Sequence, residues 1–187
     1  MSSSANPAVT GQATTVGVNV TAAPPGVGNP TGTVDLFVDG DIVASASLVN
    51  GKTKFVQHPA LGEHQYTATY EGDNNYAPAS TTVGITEVGN IAGTRVKLSS
   101  QHSTTTFGHS GAIIAKVSAA PPGKGVPTGY VLFTVDVEPF TVPLVNGVAQ
   151  LPLADLDVGT HVVTAFYLGD TYFAAGPSPT VLTQTIT

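Results

Sequence analysis

The feature that most constrains this sequence is that it repeats itself. "AAPPG" at Ala22–Gly26 recurs at Ala119–Gly123, 97 residues on, and "PTG" at Pro30–Gly32 recurs at Pro127–Gly129 with the same offset. "LVNG" slips to an offset of 96 between Leu48 and Leu144, and the block "GxHxxTAxYxGD", beginning at Gly62 and at Gly159, returns to 97. One unit is present twice, with compensating single-residue insertions expected in its middle loops. Each unit must close within about 90 residues, a length that can bury a core of its own.

Within a unit, apolar residues alternate with polar ones. "TTVGVNV" puts Val16, Val18 and Val20 on one face, and the Pro- and Gly-rich stretch after it cannot join a ladder. "TVDLFVDGDIVASAS" reads as a hairpin: Asp39-Gly40 suits a turn with positive φ, and Val34, Leu36 and Val38 share the inward face. Asn50-Gly51 marks the next turn. "EHQYTATY" directs His64, Tyr66, Ala68 and Tyr70 inward, and "STTVGITEV" supplies the closing strand.

No segment has helical periodicity. The pattern predicts an all-β fold of two tandem immunoglobulin-like β-sandwiches, residues 1–90 and 91–187. "TEVGNIAGTR" (Thr86–Arg95) is expected to join them, with Gly89 and Gly93 as bends around Ile91. Met1 aligns with Leu98, so Thr94–Lys97 at the start of the second unit have no counterpart in the first, whose first strand is truncated. The chain reads as two modules of a longer array.

Stability must come from packing, because the chain has no cysteine and so no disulfide, thiolate metal site or Cys nucleophile. Twelve acidic residues against six basic ones give a net charge of −6, which opposes binding to a phosphate backbone and excludes nucleic acid as a partner. No apolar run approaches the roughly 18 residues of a membrane helix, so no membrane insertion is expected. "MSSSANPAV" lacks the basic and apolar regions of a signal peptide. Charged residues make up only 10% of the chain, against about 25% in an average globular protein, and Thr, Ser and Asn carry the polarity, as in many secreted surface proteins.

The residues "SSSANPAVTGQ", "PTGTV", "LVNGK" and "LGEHQYTATYEGDNNYAPAS" resemble the bacterial Ig-like repeat modules found in tandem in large secreted or surface-anchored proteins. The resemblance covers nearly all of both units. The second departs more, with "HSTTTFGHS" for "NPAVTGQA" and "TYFAAGPS" for "NNYAPAS". It implies an extracellular or cell-surface location and a spacer or adhesion role, with no catalytic residues to carry over. It names no ligand, because such modules sit in adhesins, polysaccharide-degrading enzymes and phage particles.

Chemistry in the chain is best weighed by comparing its copies. The oxygen-rich loop Glu71–Asn75 invites a calcium reading, but Glu71, Asn74 and Asn75 become Leu168, Thr171 and Tyr172, while Gly72 and Asp73 persist as Gly169 and Asp170. Calcium wants six to eight oxygens, whereas a turn needs only the glycine and the aspartate. His64 and His161 share one place and fit a structural corner pin better than a catalytic base, since no nucleophile stands at a recognisable spacing.

His58, His102 and His109 have no partner at zinc-motif spacing. Lys52, Lys54 and Lys116 align with Val148, Gln150 and Asn19, which argues against an isopeptide staple. Neither a metal nor a cofactor is expected. With Trp absent and most Phe and Tyr directed inward, no flat sugar platform is evident.

One asymmetry stands out. The outward Thr33 and Asp35 become Tyr130 and Leu132, and the outward Gln65, Thr69 and Glu71 become Val162, Phe166 and Leu168. These strands neighbour each other in an immunoglobulin-type sheet, so Tyr130, Leu132, Val162, Phe166 and Leu168 form a candidate apolar binding patch on the second unit. Two alternatives are that "PLVNGVAQLPLADLDV" folds over this face, or that the strand phase is off by one. The function expected is a non-catalytic structural spacer, alternatively a module docking a protein or glycan through the patch. The expected state is a monomer with weak self-association.

Overall fold

Alternation of β-branched and polar residues becomes strand throughout the chain. In the computed structural model, which describes residues 1–81 and 83–187, a single 3₁₀ turn at Leu153–Asp155 interrupts an otherwise all-β structure. Thr82, within the expected closing strand of the first unit, lies outside the described residues.

The first unit contains β1 (Ser2–Ser3), β2 (Ala8–Val9), β3 (Thr14–Asn19), β4 (Thr33–Val38), β5 (Asp41–Ser47), β6 (Lys52–Gln57), β7 (Gly62–Tyr70), β8 (Ala79–Ser80) and β9 (Ile85–Asn90). One sheet runs β1-β3-β6 and the other β2-β9-β7-β4-β5, with β8 paired to the end of β7. The second unit contains β10 (Thr94–Ser100), β11 (Thr104–Thr105), β12 (Ala112–Ala119), β13 (Tyr130–Val135), β14 (Glu138–Pro143), β15 (Val148–Pro152), β16 (Gly159–Tyr167), β17 (Gly176–Pro177) and β18 (Leu182–Ile186). Its sheets, β10-β12-β15 and β11-β18-β16-β13-β14 with β17 on β16, repeat that topology. Both units are immunoglobulin-like sandwiches.

The chain divides into Met1–Asn90 and Ile91–Thr187, and each part has its own interior. In the first, Val16, Val18 and Phe55 of the smaller sheet face Val34, Leu36, Tyr66, Ala68 and Tyr70 of the larger. In the second, Ile113, Ala115, Val117 and Leu151 are buried opposite Val131, Phe133, Val163, Ala165 and Tyr167. Turns fall where the dipeptides placed them: Asp39-Gly40 and Asn50-Gly51 take φ of 52° and 97°, and 52° and 73°.

Two sequence-based expectations are corrected. The slip from 97 to 96 is not a loop insertion. Leu36 faces Ala44 while Phe37 faces Ile42, so Val43 is the extra residue of a β-bulge inside β5. β14 pairs with β13 without a shift and instead carries Pro139 and Pro143, which lack an N–H. The same sheet edge is thus blunted against strand addition by a bulge in one copy and by prolines in the other. The compensating residue falls between β15 and β16, where the second unit makes its 3₁₀ turn.

The joining segment is also shorter than expected. Gly89 is no bend but a residue of β9, opposite Gly62 and Ala8, where a Cβ would collide with the Ala60 carbonyl. Only Ile91–Gly93 lie between β9 and β10.

Phe133 is fully buried between the sheets of the second unit. Phe133→Ala is expected to cost about 3–5 kcal/mol. In chemical denaturation this should shift only the second unit's transition, and an equal shift in both would contradict separate interiors.

Candidate functional site

The histidines shared by the two copies meet a partner that the sequence reading took only as a turn residue. His64 Nδ1 lies 2.7 Å from Asp39 Oδ2, and its Nε2 lies 3.3 Å from the Leu61 carbonyl oxygen. The other carboxylate oxygen of Asp39 accepts the Gln65 N–H at 2.8 Å. His161 repeats this with Asp136 (2.9 Å) and the Asp157 carbonyl (2.9 Å), while Asp136 accepts the Val162 N–H at 2.8 Å. The pair ties the β4–β5 turn to the neighbouring strand β7, and the β13–β14 turn to β16.

Both ring nitrogens face acceptors, which favours the imidazolium, in which both carry protons. The Asp39 hydrogen bond, with help from the Leu61 carbonyl, raises His64 above its ordinary value, against the opposing effect of burial. His161 is raised first by the Asp157 carbonyl and then by Asp136. Asp39 is held low by His64 and the Gln65 N–H, and Asp136 by the Val162 N–H and His161.

The oxygen-rich loop is a turn held by one aspartate. Asp73 Oδ2 accepts the Thr31 N–H (2.8 Å) and hydroxyl (2.5 Å), and Oδ1 accepts the N–H groups of Asn75 (2.7 Å) and Tyr76 (2.9 Å). Asp170 makes the same four bonds to Thr128, Tyr172 and Phe173 at 2.7–2.8 Å. The carboxylate is thus occupied by the protein's own donors. The Thr31 hydroxyl and these N–H groups hold Asp73 far below the usual carboxylate range. Burial pushes Asp170 upward, but Thr128 and the two N–H groups outweigh it.

Beneath these turns the hydroxyls of Tyr70 and Tyr167 are pushed up, mainly by burial and then by the charge of Asp73 or Asp170. Gly32 takes φ of 91° and crosses so close to the Gly72 carbonyl that a side chain would strike it. The repeated "PTG" is therefore the receiving half of this latch.

Sequence reading missed the Asp39–His64 and Thr31–Asp73 partnerships. The available signal was their spacing, 25 and 42 residues, identical in both copies. His58, His102 and His109 sit exposed in loops. Among the described residues no three His, Asp or Glu side chains are placed to hold a metal ion.

The outer face of the larger sheet carries the five residues expected to form an apolar patch. In the second unit Thr141, Leu132, Phe166 and Pro177 line up across four strands. The Leu168 N–H donates to the Tyr130 carbonyl at 3.0 Å in the next row, and Val162 stands on the same face beyond Thr164. Tyr130 (53%), Val162 (49%), Leu168 (47%) and Phe166 (40%) are exposed, and Leu132 is half-buried between its neighbours.

The equivalent row of the first unit is Ser45, Asp35, Thr69 and Ser80, with the Ser45 hydroxyl donating to Asp35 at 2.5 Å and Thr69 bonded to Ser80. The stretch considered as a cover does not lie here: Val148–Pro152 pairs with β12 in the opposite sheet. Strand phase is as read, since Val131, Phe133 and Val135 are buried.

Both units match the family described as Bacterial Ig-like domain (group 3), over residues 1–88 and 98–187. No curated protein matches the chain. Among solved structures it is similar to the fibronectin(III)-like modules of Clostridium thermocellum CbhA, at 18% identity over 97% of this chain and 87% of that one, with a TM-score of 0.36. It is similar to the D0-D1 domain of Intimin at 17% identity, over 93% of this chain and 90% of that one, with a TM-score of 0.32. A β-glycosidase from Bacteroides vulgatus shares 13% identity over 91% of this chain but only 24% of its own length, with a TM-score of 0.32.

The corner pins make stability depend on pH. The raised histidines contribute fully below about 6.5 and lose their contribution as pH rises through their folded values. The lowered aspartates contribute above about 4 and lose it as pH falls further. The melting temperature should therefore be highest near pH 5–6 and fall towards pH 8. Replacing both His64 and His161 with Gln should flatten the fall above pH 6. An unchanged profile in the double variant would remove the pins as its cause.

Proposed function

The chain belongs to the bacterial Ig-like domains of group 3, and from that membership we propose that it is a non-catalytic structural spacer in an extracellular or cell-surface bacterial protein. The observation that carries this reading is how the second strand of each unit is joined to its last. β2 runs parallel to β9, with Ala8 opposite Gly89 and Val9 opposite Asn90. The Thr10 N–H donates to the Asn90 carbonyl at 2.9 Å, and Asn6 holds Val88 and Thr86 through its side-chain amide. In the second unit β11 runs parallel to β18, the Phe107 N–H donates to the Thr187 carbonyl (2.7 Å) and the Thr187 N–H to the Thr105 carbonyl (2.9 Å).

Tension applied at the two ends of a unit pulls such parallel neighbours in opposite directions along their length. The bonds between them are then loaded together in shear rather than opened one by one. A spacer under load needs that geometry, and no cofactor is involved.

A second reading is favoured by the outer face of the second unit. An exposed apolar row occupies positions that carry hydroxyls and a carboxylate in the first copy, so the fold does not require it there. Side chains of this number expose on the order of a few hundred Å², near the size of an interaction patch. On this reading Tyr130, Leu132, Val162, Phe166 and Leu168 dock a protein or glycan, or weakly a second copy of the chain.

Pulling single molecules from their termini should give two separate force peaks, each releasing about 30 nm, the contour of a unit at about 3.5 Å per residue. One event of double that length, or extension without peaks, would contradict the spacer reading. Sedimentation separates the second reading, since a pure spacer stays monomeric at all concentrations. If the chain self-associates, Phe166→Thr with Leu168→Glu should abolish association and leave the melting transition intact. Undiminished association would remove the patch as its cause.

A further inference from the structure

Charge is sorted between the two sheets of each unit. Lys52, Lys54, Arg95, Lys97 and Lys116, five of the six basic residues, lie on β6, β10 and β12 of the smaller sheets, whose strands carry none of the twelve acidic residues. The larger sheets carry no lysine or arginine. The net charge of −6 therefore conceals one cationic face on each unit.

Different positions supply that charge in the two copies. Val148 and Gln150 stand where the first unit has Lys52 and Lys54, and Asn19 stands where the second has Lys116. The face keeps its sign although no lysine position is shared, so the sign is not a requirement of any one place in the fold.

In the second unit the cations converge. Lys97 is directly opposite Lys116, and Arg95, one outward position further along β10, is opposite Ser118. Side chains so paired have Cβ atoms about 5 Å apart, and like charges there oppose folding. All three cations are exposed, and among the described residues the only ion pairs are His64–Asp39 and His161–Asp136, so no carboxylate offsets the repulsion.

The same face continues into a polar hollow. Gln150 is exposed opposite Ile114, one outward position along from Lys116 and its neighbour Val148. Beyond it an open hollow of about 660 Å³ is lined by Gln150, Gln101, His102 and Ser110. The Gln101 Oε1 accepts the Ala112 N–H at 3.1 Å, which fixes the side chain and leaves its amide hydrogens for a ligand. Ala112 lies four residues from Lys116, about 13 Å along β12.

We propose that this face, from Arg95 to the hollow at Gln101, is a binding track for an acidic polysaccharide whose sugars bear carboxylates. An exposed ion pair contributes at most about 1 kcal/mol, so a flat face holds only a ligand that presents several charges at once. The carboxylates meet Arg95, Lys97 and Lys116, and the sugar hydroxyls meet Gln150, Gln101 and Ser110. A protein partner, including a second copy, fits less well, because the face has no exposed aromatic or large aliphatic anchor: Ile114 and Val148 are half-buried. The track is separate from the apolar row, which lies on the outer face of the larger sheet, and it does not depend on the chain serving as a spacer.

The test is titration of the intact chain with oligogalacturonate in low salt, followed by amide NMR, with a neutral dextran of equal length as control. Saturable shifts at Arg95, Lys97, Lys116 and Gln150, lost on about a tenfold rise in salt and absent with dextran, are the expected result. Lys97→Gln with Lys116→Gln should weaken binding at least about tenfold and leave the melting transition intact, because both side chains are exposed. Phe166→Thr with Leu168→Glu should leave binding unchanged. The absence of a saturable shift, equal binding of dextran, or undiminished binding by the glutamine variant would overturn the proposal. So would the same shifts on concentrating the chain alone, which would mark the face as a contact between copies.

Discussion

The structure depends on one register constraint, the pairing of the central strands β4 with β7 and of β13 with β16. Side chains alternate across a strand, so setting Leu36 opposite Ala68, or Phe133 opposite Ala165, decides at once which residues enter the interior and which face outward. With no cysteine in the chain, that interior is the principal source of cohesion. The inward rows stay apolar in both copies, with Leu36 exchanged for Phe133 and Tyr66 for Val163. The outward rows are free of the packing requirement, and there the copies diverge from hydroxyl and carboxylate to aromatic and aliphatic side chains.

Polar groups that would attract a catalytic or metal reading serve the same constraint. Asp39 with His64 and Asp73 with Thr31 each fasten a turn to a neighbouring strand, and both arrangements recur in the second copy. Charge-assisted hydrogen bonds of this kind fix the register at the ends of strands, where packing is thinnest. Belonging to a bacterial Ig-like family accords with this use of chemistry for holding shape.

Much of this was legible in the sequence because a duplication supplies its own comparison. Strand phase, turn positions, the exclusion of disulfides and the outward apolar residues all follow from alternation and alignment. The bulge at Val43 was not legible, because an offset of one residue looks the same in a strand as in a loop. Gly89 read as a bend because glycine frees φ, whereas here it serves close approach to the Ala60 carbonyl. The latches were hidden by distance along the chain, although their equal spacing in both copies was visible.

The central claim is that each half closes around its own interior, and the most direct measurement is the amide NMR spectrum of residues 91–187 produced alone. The account expects a dispersed spectrum that overlays the same residues of the intact chain away from the junction, with cooperative unfolding. A collapsed, poorly dispersed spectrum would mean that this half borrows its interior from the other, and would contradict the account.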